Sequence, residues 1–281
     1  MVVAGILSAL RVSGGKLREQ RILFFGAGEA ATGTADLLVT AMVAQGATQA
    51  ESRNRCWLFD SKGLVVHGRT GLAAQKLPYA HEHPAVSDFL AAIKSVRPTA
   101  IVGVAAIGGT FTREIVEEMA RINERPIVFA LSNPTSKSEC TAEQAYAWSR
   151  GKALFACGSP FDPVRVGSQS FVPRQGNNSY IFPGVGLAAI TVRVKRVTDE
   201  MFMVAANSLA DQVTEDDLAQ GSLYPPLARV RDVSARIAAD VAEVAYAQGM
   251  ASVPRPRDLL LFMKRQMYEP RYVDYVVSAP S

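Results

Sequence analysis

A short apolar run, Ile22 to Phe25, breaks on Gly26-Ala-Gly28-Glu-Ala-Ala31, and a helix-compatible stretch from Thr32 to Gln45 follows at once. No other feature constrains the fold of this chain as tightly. A strand that enters a helix through two glycines and a small third residue has the form of a dinucleotide-binding turn. Gly26 permits the tight turn, and Gly28 lets the backbone approach a pyrophosphate. Ala31 or Gly33 lets the helix pack close to the strand. The amides that open the helix turn their partial positive charge toward the phosphates. Small residues also fill ordinary strand-to-helix turns, so the strand-turn-helix context carries the reading.

Cys56-Trp-Leu-Phe-Asp60 reads as the next buried strand, with an acid at its carboxyl end, where such a site accepts hydrogen bonds from the adenosine ribose. The spacing exceeds the usual ~20 residues, and the polar stretch 47–55 absorbs the difference. An alternative makes Asp60 a turn residue ahead of Gly63. Ser61 and Lys62 follow the acid, and Lys76 lies further on. A hydroxyl and two ammonium groups suit a 2′-phosphate, although lysines also populate ordinary surfaces.

Further strands are expected over 99–104, 126–131 and 153–156, and helices over 112–120 and 142–149. Thr141 with Gln144 forms a capping box for the second helix. This alternation implies an α/β fold: a Rossmann-like, doubly wound parallel sheet with helices on both faces. Ligands of such sheets lie beyond the carboxyl ends of the strands. Turn-forming residues follow the strands there, at 26–28, 60–62, 105–109 and 132–134. From Thr198 the pattern becomes helical. Met201, Ala205 and Leu209, then Val230, Val233, Ile237, Val241 and Val244, form apolar stripes expected to pack on the sheet or on another subunit. Ser222-Leu-Tyr-Pro-Pro226 reads as a rigid connector. The expected organisation is the end of a linker helix over 1–20, the cofactor domain over 21–250 with its additional C-terminal helices, and a surface tail over 251–281.

Composition narrows the function classes. A net charge of +4 over 281 residues suits an anionic ligand but is too mild for a nucleic-acid partner. The three cysteines, Cys56, Cys140 and Cys157, are widely spaced and odd in number, which fits a reducing compartment. His67, His81 and His83 lack metal-ligand spacing with them, and His81-Glu-His83 reads as a solvated loop. Val2 to Leu10 reads as part of a helix rather than a signal peptide. No apolar run reaches the ~18 residues needed to span a membrane.

Two loops carry asparagines. Asn133 is held extended ahead of Pro134, and Asn177 and Asn178 sit in Gln175-Gly-Asn-Asn-Ser-Tyr180. An amide that donates and accepts suits a hydroxy acid or a carboxamide. Turn chemistry is the competing explanation.

Taken together, the motifs resemble the malic enzymes, specifically the C-terminal NAD(P)-binding domain of the NADP-preferring type. The resemblance runs through Phe25-Gly-Ala-Gly-Glu-Ala-Ala31, Trp57-Leu-Phe-Asp-Ser-Lys-Gly63 and Gly103-Val-Ala-Ala-Ile-Gly-Gly109. It continues through Asn123-Glu-Arg-Pro-Ile-Val-Phe-Ala-Leu-Ser-Asn-Pro-Thr135, Gly158-Ser-Pro-Phe-Asp-Pro163, Gln175-Gly-Asn-Asn-Ser-Tyr-Ile-Phe-Pro-Gly184 and Gly221-Ser-Leu-Tyr-Pro-Pro-Leu227. It implies oxidative decarboxylation of (S)-malate to pyruvate and carbon dioxide with reduction of NADP, NAD being the alternative cofactor.

Carried over by position, the cofactor residues are Gly26, Ala27, Gly28, Glu29, Ala30, Ala31 and Gly33 at the pyrophosphate. Asp60, Ser61, Lys62 and Lys76 serve the ribose and its phosphate, and Val104, Ala105, Ala106 and Asn133 complete the set. Asn133, Asn177 and Asn178 fall where the family contacts malate and the nicotinamide end. The resemblance places a tyrosine general acid, a lysine general base, an arginine for malate and the ligands of a divalent Mg or Mn in a preceding domain. None of those motifs occurs here. The chain is therefore expected to hold no catalytic or metal-binding residue of its own and to be inactive in isolation. Malate or pyruvate, no nucleic acid, no membrane and a homo-oligomer of the complete enzyme are the expected partners. A cytoplasmic location is expected, with mitochondrion and plastid left open. The alternative reading is an NAD(P)-binding regulatory or interaction module without catalysis.

Overall fold

Strand β1 (Ile22–Phe25) lies inside a six-stranded sheet of order β3-β2-β1-β4-β5-β6. The other strands are β2 (Cys56–Asp60), β3 (Gly63–Leu64), β4 (Ala100–Gly103), β5 (Ile127–Ala130) and β6 (Leu154–Cys157). All pair in parallel except β3, which returns antiparallel from β2 as a two-residue edge strand. The register aligns Phe25 with Phe59 on one side and with Gly103 on the other, so the carboxyl ends of β1, β2 and β4 finish level. The chain leaves β1 for β2 in one direction and reaches β4 in the other, which makes the β1–β4 gap the topological switch point. The computed structural model describes residues 1–269.

Both faces of the sheet are covered. Along β1, Ile22 and Phe24 enter one buried layer while Leu23 enters the other, as the two-residue strand period dictates. The first layer holds α1 (Val2–Ser13), α2 (Glu29–Ala44), α7 (Phe182–Thr191), α8 (Asp199–Asp211) and α10 (Val230–Ala247). The second holds α4 (Phe89–Val96), α5 (Arg113–Ile122) and α6 (Ala142–Trp148). Two short helices, α3 (Gln49–Arg53) and α9 (Glu215–Ala219), are closed by capping boxes at Thr48 and Thr214. Both apolar stripes of the C-terminal half face other helices, since α10 packs on α7, α8 and α11 (Leu259–Gln266), and α8 packs on α1. α1 is fastened to the connector as well, because the Tyr224 hydroxyl donates to the Met1 carbonyl at 3.2 Å.

Several elements differ from expectation. α2 opens at Glu29 rather than Thr32, because Gly28 is extended at its N-cap (φ −83°, ψ −172°). α4 carries buried residues at 89, 92, 93 and 96, the three-and-four spacing of an amphipathic helix. The strand β3 and the hairpin of β7 (Val164–Val166) with β8 (Gln169–Phe171) are too short to show a period. His81 is not solvated. It is buried, its ring stacks on Trp57 with centroids 3.7 Å apart, and its Nε2 lies 2.9 Å from the Cys56 carbonyl oxygen. In the expected tail, α11 packs Met263 into the core, and 270–281 lie outside the described residues. Among the described residues no helix is long and apolar enough to cross a membrane.

Candidate dinucleotide site

The glycine turn is built where β1 ends. Gly26 has φ +121°, a conformation that L side chains rarely adopt. A Cβ there would also lie 3.1 Å from the backbone of Val104 and Ala105 at the end of β4. Its amide donates to the Phe59 carbonyl at 2.8 Å, and the Val104 amide donates to the Phe25 carbonyl at 2.9 Å, so three strand ends are hooked together around this residue. Gly28 is different. A Cβ at Gly28 would meet no protein atom within 4 Å, so internal packing does not require the glycine. No side chain caps α2 at Gly28, and Glu29 and Ala30 are exposed in its first turn. These uncapped amides fit a pyrophosphate, and the bare Gly28 fits its close approach. The close packing of helix on sheet falls to Ala31 and Ala35, both fully buried, with Ala27 buried behind the turn. Gly33 faces solvent with no neighbour within 4 Å, so the expected packing role does not belong to it.

At the end of β2, Asp60 is held by two cations. Lys76 Nζ lies 2.7 Å from its carboxylate and the Arg69 guanidinium 3.0 Å, while the Lys62 amide donates at 2.9 Å. Burial pushes the Asp60 carboxyl up, but the donors from Arg69, Lys76 and Lys62 outweigh it and hold the group at about 2. Arg69 donates further to the carbonyls of Gly63 and Leu64, which fixes the guanidinium over β3. Lys76 rides on a short 3₁₀ segment, Ala74–Tyr79, anchored to α2 where the Tyr79 hydroxyl donates to Asp36 at 2.5 Å. One carboxylate against two cations leaves a local surplus of one positive charge. The side chains of Ser61 and Lys62 are exposed beside it. Arg69 was not singled out from the sequence; only its place nine residues beyond Asp60, in an irregular stretch, could have pointed to it.

Toward the other end of the same edge, β4 runs out into Val104, Ala105 and Ala106, and Ala106 has φ +55°. β5 runs out into Ser132 and Asn133, and the Asn133–Pro134 peptide is cis. Asn133 is exposed. β6 is continued by a bridge between Cys157 and Gln175, with Gly176 donating to the Cys157 carbonyl and the Gln175 amide to the Gly158 carbonyl. Asn177 follows at once. Its Oδ1 accepts from the Ser179 amide at 2.9 Å, so its carbonyl end serves turn chemistry, whereas Asn178 is exposed. All the residues expected in the site thus lie along one carboxyl edge of the sheet, except Gly33, which sits in α2 away from it. Beneath this end lies Glu139, a fully buried acid that accepts from Ser132. Sequence reasoning passed over it, because one acid ahead of a capping box carries no distinguishing signal.

Among the described residues no group of three or more His, Cys, Asp or Glu could hold a metal ion. Glu215, Asp216 and Asp217 open α9. Asp217 completes the capping box with Thr214 and accepts from Arg174 at 2.7 Å.

A doubly wound sheet whose glycine turn opens at the switch point, with uncapped helix amides beyond it, is a dinucleotide-binding domain. The malic enzyme NAD binding domain profile matches residues 1–246, and the chain belongs to that family. A chloroplastic NADP-dependent malic enzyme of Oryza sativa subsp. japonica is 50% identical over 280 residues, covering 98% of this chain and 44% of its own length. The NADP-dependent malic enzyme of Anas platyrhynchos is 47% identical over 281 residues, covering 99% and 50%. Among solved structures, the Entamoeba histolytica malic enzyme superposes with a TM-score of 0.75 at 26% identity, over 94% of this chain and 51% of that one. The chain therefore spans about half the length of the relatives it matches.

Proposed function

We propose that this chain is the cofactor half of an NADP-preferring malic enzyme, the oxidative decarboxylase of (S)-malate. The carrying observation is the Asp60–Arg69–Lys76 cluster at the end of β2. A lone carboxylate there would repel a 2′-phosphate. Here two cations neutralise it and leave positive charge over, while Ser61 and Lys62 stand exposed alongside. Bound NADP would accept the hydride from malate. The chain's own part would be to seat the pyrophosphate on the Gly26–Ala31 turn, hold the 2′-phosphate beside Lys76, and orient nicotinamide and malate with Asn133 and Asn178. That contribution acts through orientation. The general acid, the general base and the divalent metal belong, on this reading, to the domain that the relatives carry beyond the matched half. Three buried free cysteines fit a reducing compartment, so a cytoplasmic location is part of the proposal, as is, from the family resemblance, a homo-oligomer of the complete enzyme.

Fluorescence titration of the 281-residue chain with NADPH and NADH, before and after Lys76→Gln, tests the cofactor reading. Losing one charged phosphate contact costs about 1–3 kcal/mol, so the variant should bind NADPH about tenfold more weakly and NADH unchanged. An unaltered NADPH-to-NADH ratio would remove Lys76 from the site.

A further inference from the structure

Three locally unfavourable choices meet behind the ends of β4 and β5. Glu139 is a carboxyl with no exposure, and no ion pair among the described residues reaches it; burial pushes its pKa up, against donors from Ser132 and nearby amides. Gly103 puts a glycine in a central strand, and a Cβ there would overlap the Glu139 side chain. Ala106 holds a left-handed backbone that alanine rarely adopts. Taken alone, each costs on the order of 1 kcal/mol. A core selected for stability alone would carry alanine at 103 and an apolar side chain at 139.

One chain of hydrogen bonds joins Ala106 to Glu139, and the bare Gly103 leaves the space that the Glu139 side chain fills. The Ala106 amide donates to Ser132 Oγ at 2.9 Å. Ser132 Oγ donates to Glu139 Oε1 at 2.5 Å, and the Ser132 amide donates to Oε2 at 3.3 Å. The Glu139 carbonyl in turn accepts from the Phe111 amide at 2.9 Å, beyond the 104–109 turn. The turn that leaves β4 and the turn that leaves β5 are thereby fastened to one buried group. Both turns carry residues of the expected cofactor set, and Asn133 falls at its nicotinamide end.

We propose that Glu139 is a positioning residue for the nicotinamide half of the cofactor, holding the 104–106 and 132–134 turns as one rigid pair through the Ser132 hydroxyl. The proposal rests on the cofactor reading above. Glu139 touches no ligand itself, since it is fully buried. It acts by denying the two turns independent movement, and small displacements of orienting groups are costly in such sites. Unfavourable local choices that converge beside a binding edge are characteristic of positioning machinery.

Two ligands separate positioning from mere support. NADPH reports on the nicotinamide through its emission, and adenosine 2′,5′-bisphosphate carries only the adenosine and the 2′-phosphate. The 281-residue chain should bind both, with the bisphosphate displacing NADPH. Glu139→Gln keeps the size but turns an amide N–H toward the Ser132 donors. It should weaken NADPH about tenfold and abolish the emission change of the bound nicotinamide, with bisphosphate affinity unchanged. Ser132→Ala should give the same pattern, and serves if the first variant fails to fold. Equal weakening of both ligands, or an emission change on NADPH binding as large as that of the wild type, would overturn the positioning role. Wild-type chain that binds neither ligand would instead overturn the cofactor reading, and this inference with it.

Discussion

Asp60 and Glu139 stand at two ends of one sheet edge, and the protein stabilises them by opposite means. Asp60 is partly solvated and gripped by Arg69 and Lys76, so its charge is balanced by charge. Glu139 lies in the core with hydroxyl and amide donors only. The first arrangement keeps the carboxylate ionised to about pH 2 and leaves a cationic surplus for an anionic ligand. The second pushes the acid toward its neutral form and fixes backbone. On the proposed reading, charge at the rim selects the ligand, and hydrogen bonds beneath it hold the geometry that receives it.

The largest expected effect tests the second arrangement. Gly103→Ala forces a methyl into the space of the Glu139 side chain. In an unobstructed strand alanine would be the better residue by about 0.5–1 kcal/mol. Here overpacking should reverse the sign and destabilise the domain by about 1–3 kcal/mol in urea unfolding. Adding Glu139→Ala vacates the space, so the double variant should recover part of the loss, a non-additivity that distant sites do not show. Additive losses would mean that Gly103 and Glu139 are not coupled.

Acid unfolding sharpens the contrast. Asp60 has a folded pKa of about 2, below its unfolded value. Its stabilisation is therefore complete above the unfolded value of about 4 and is lost as pH falls toward 2. The shift corresponds to about 2 kcal/mol. Glu139 is shifted upward, so its term has the opposite sign: the ionised form opposes folding, and stability falls as pH rises through the raised pKa. Urea midpoints measured from pH 5 to pH 2 should fall less steeply in Asp60→Asn than in the wild type. Parallel curves would show that Arg69 and Lys76 do not hold the carboxylate in solution.

Much of this frame was legible in the sequence, for identifiable reasons. β1, β2, β4, β5 and β6 are buried on both faces and read as apolar runs, and the capping box at Thr141 marks α6 by local chemistry alone. The glycine turn was legible because Gly26 has to adopt a positive φ beside Val104. What escaped depends on contacts distant in sequence or on segments without a period. Arg69 reaches Asp60 only because the chain turns back through β3, and two residues of strand leave no pattern. His81 looked solvated because its burial comes in part from Trp57, far back along the chain on β2. Gly33 carries the right residue type, but the pitch of the helix turns it away from the sheet. Glu139 matters only when β4, β5 and the loop between Ser132 and Cys140 are folded together.

The smallest expected effect separates the two lysines at the Asp60 end. Lys76 has a side chain only 20% exposed and is locked on Asp60, while Lys62 is exposed and offers only its backbone amide to the same acid. Ordering Lys62 on a phosphate would forfeit rotamer freedom of about 1.5–2 kcal/mol, and salt would screen the remaining attraction. Lys62→Gln should therefore weaken NADPH by less than about fivefold, within the range of exposed ion pairs, and most of that difference should vanish in high salt. The loss from Lys76→Gln should persist there, because that ammonium is already ordered and partly desolvated. Titrations of both variants at low and high ionic strength decide the point. A Lys62 effect equal to that of Lys76, and equally resistant to salt, would move the phosphate contact from the ordered lysine to the exposed one.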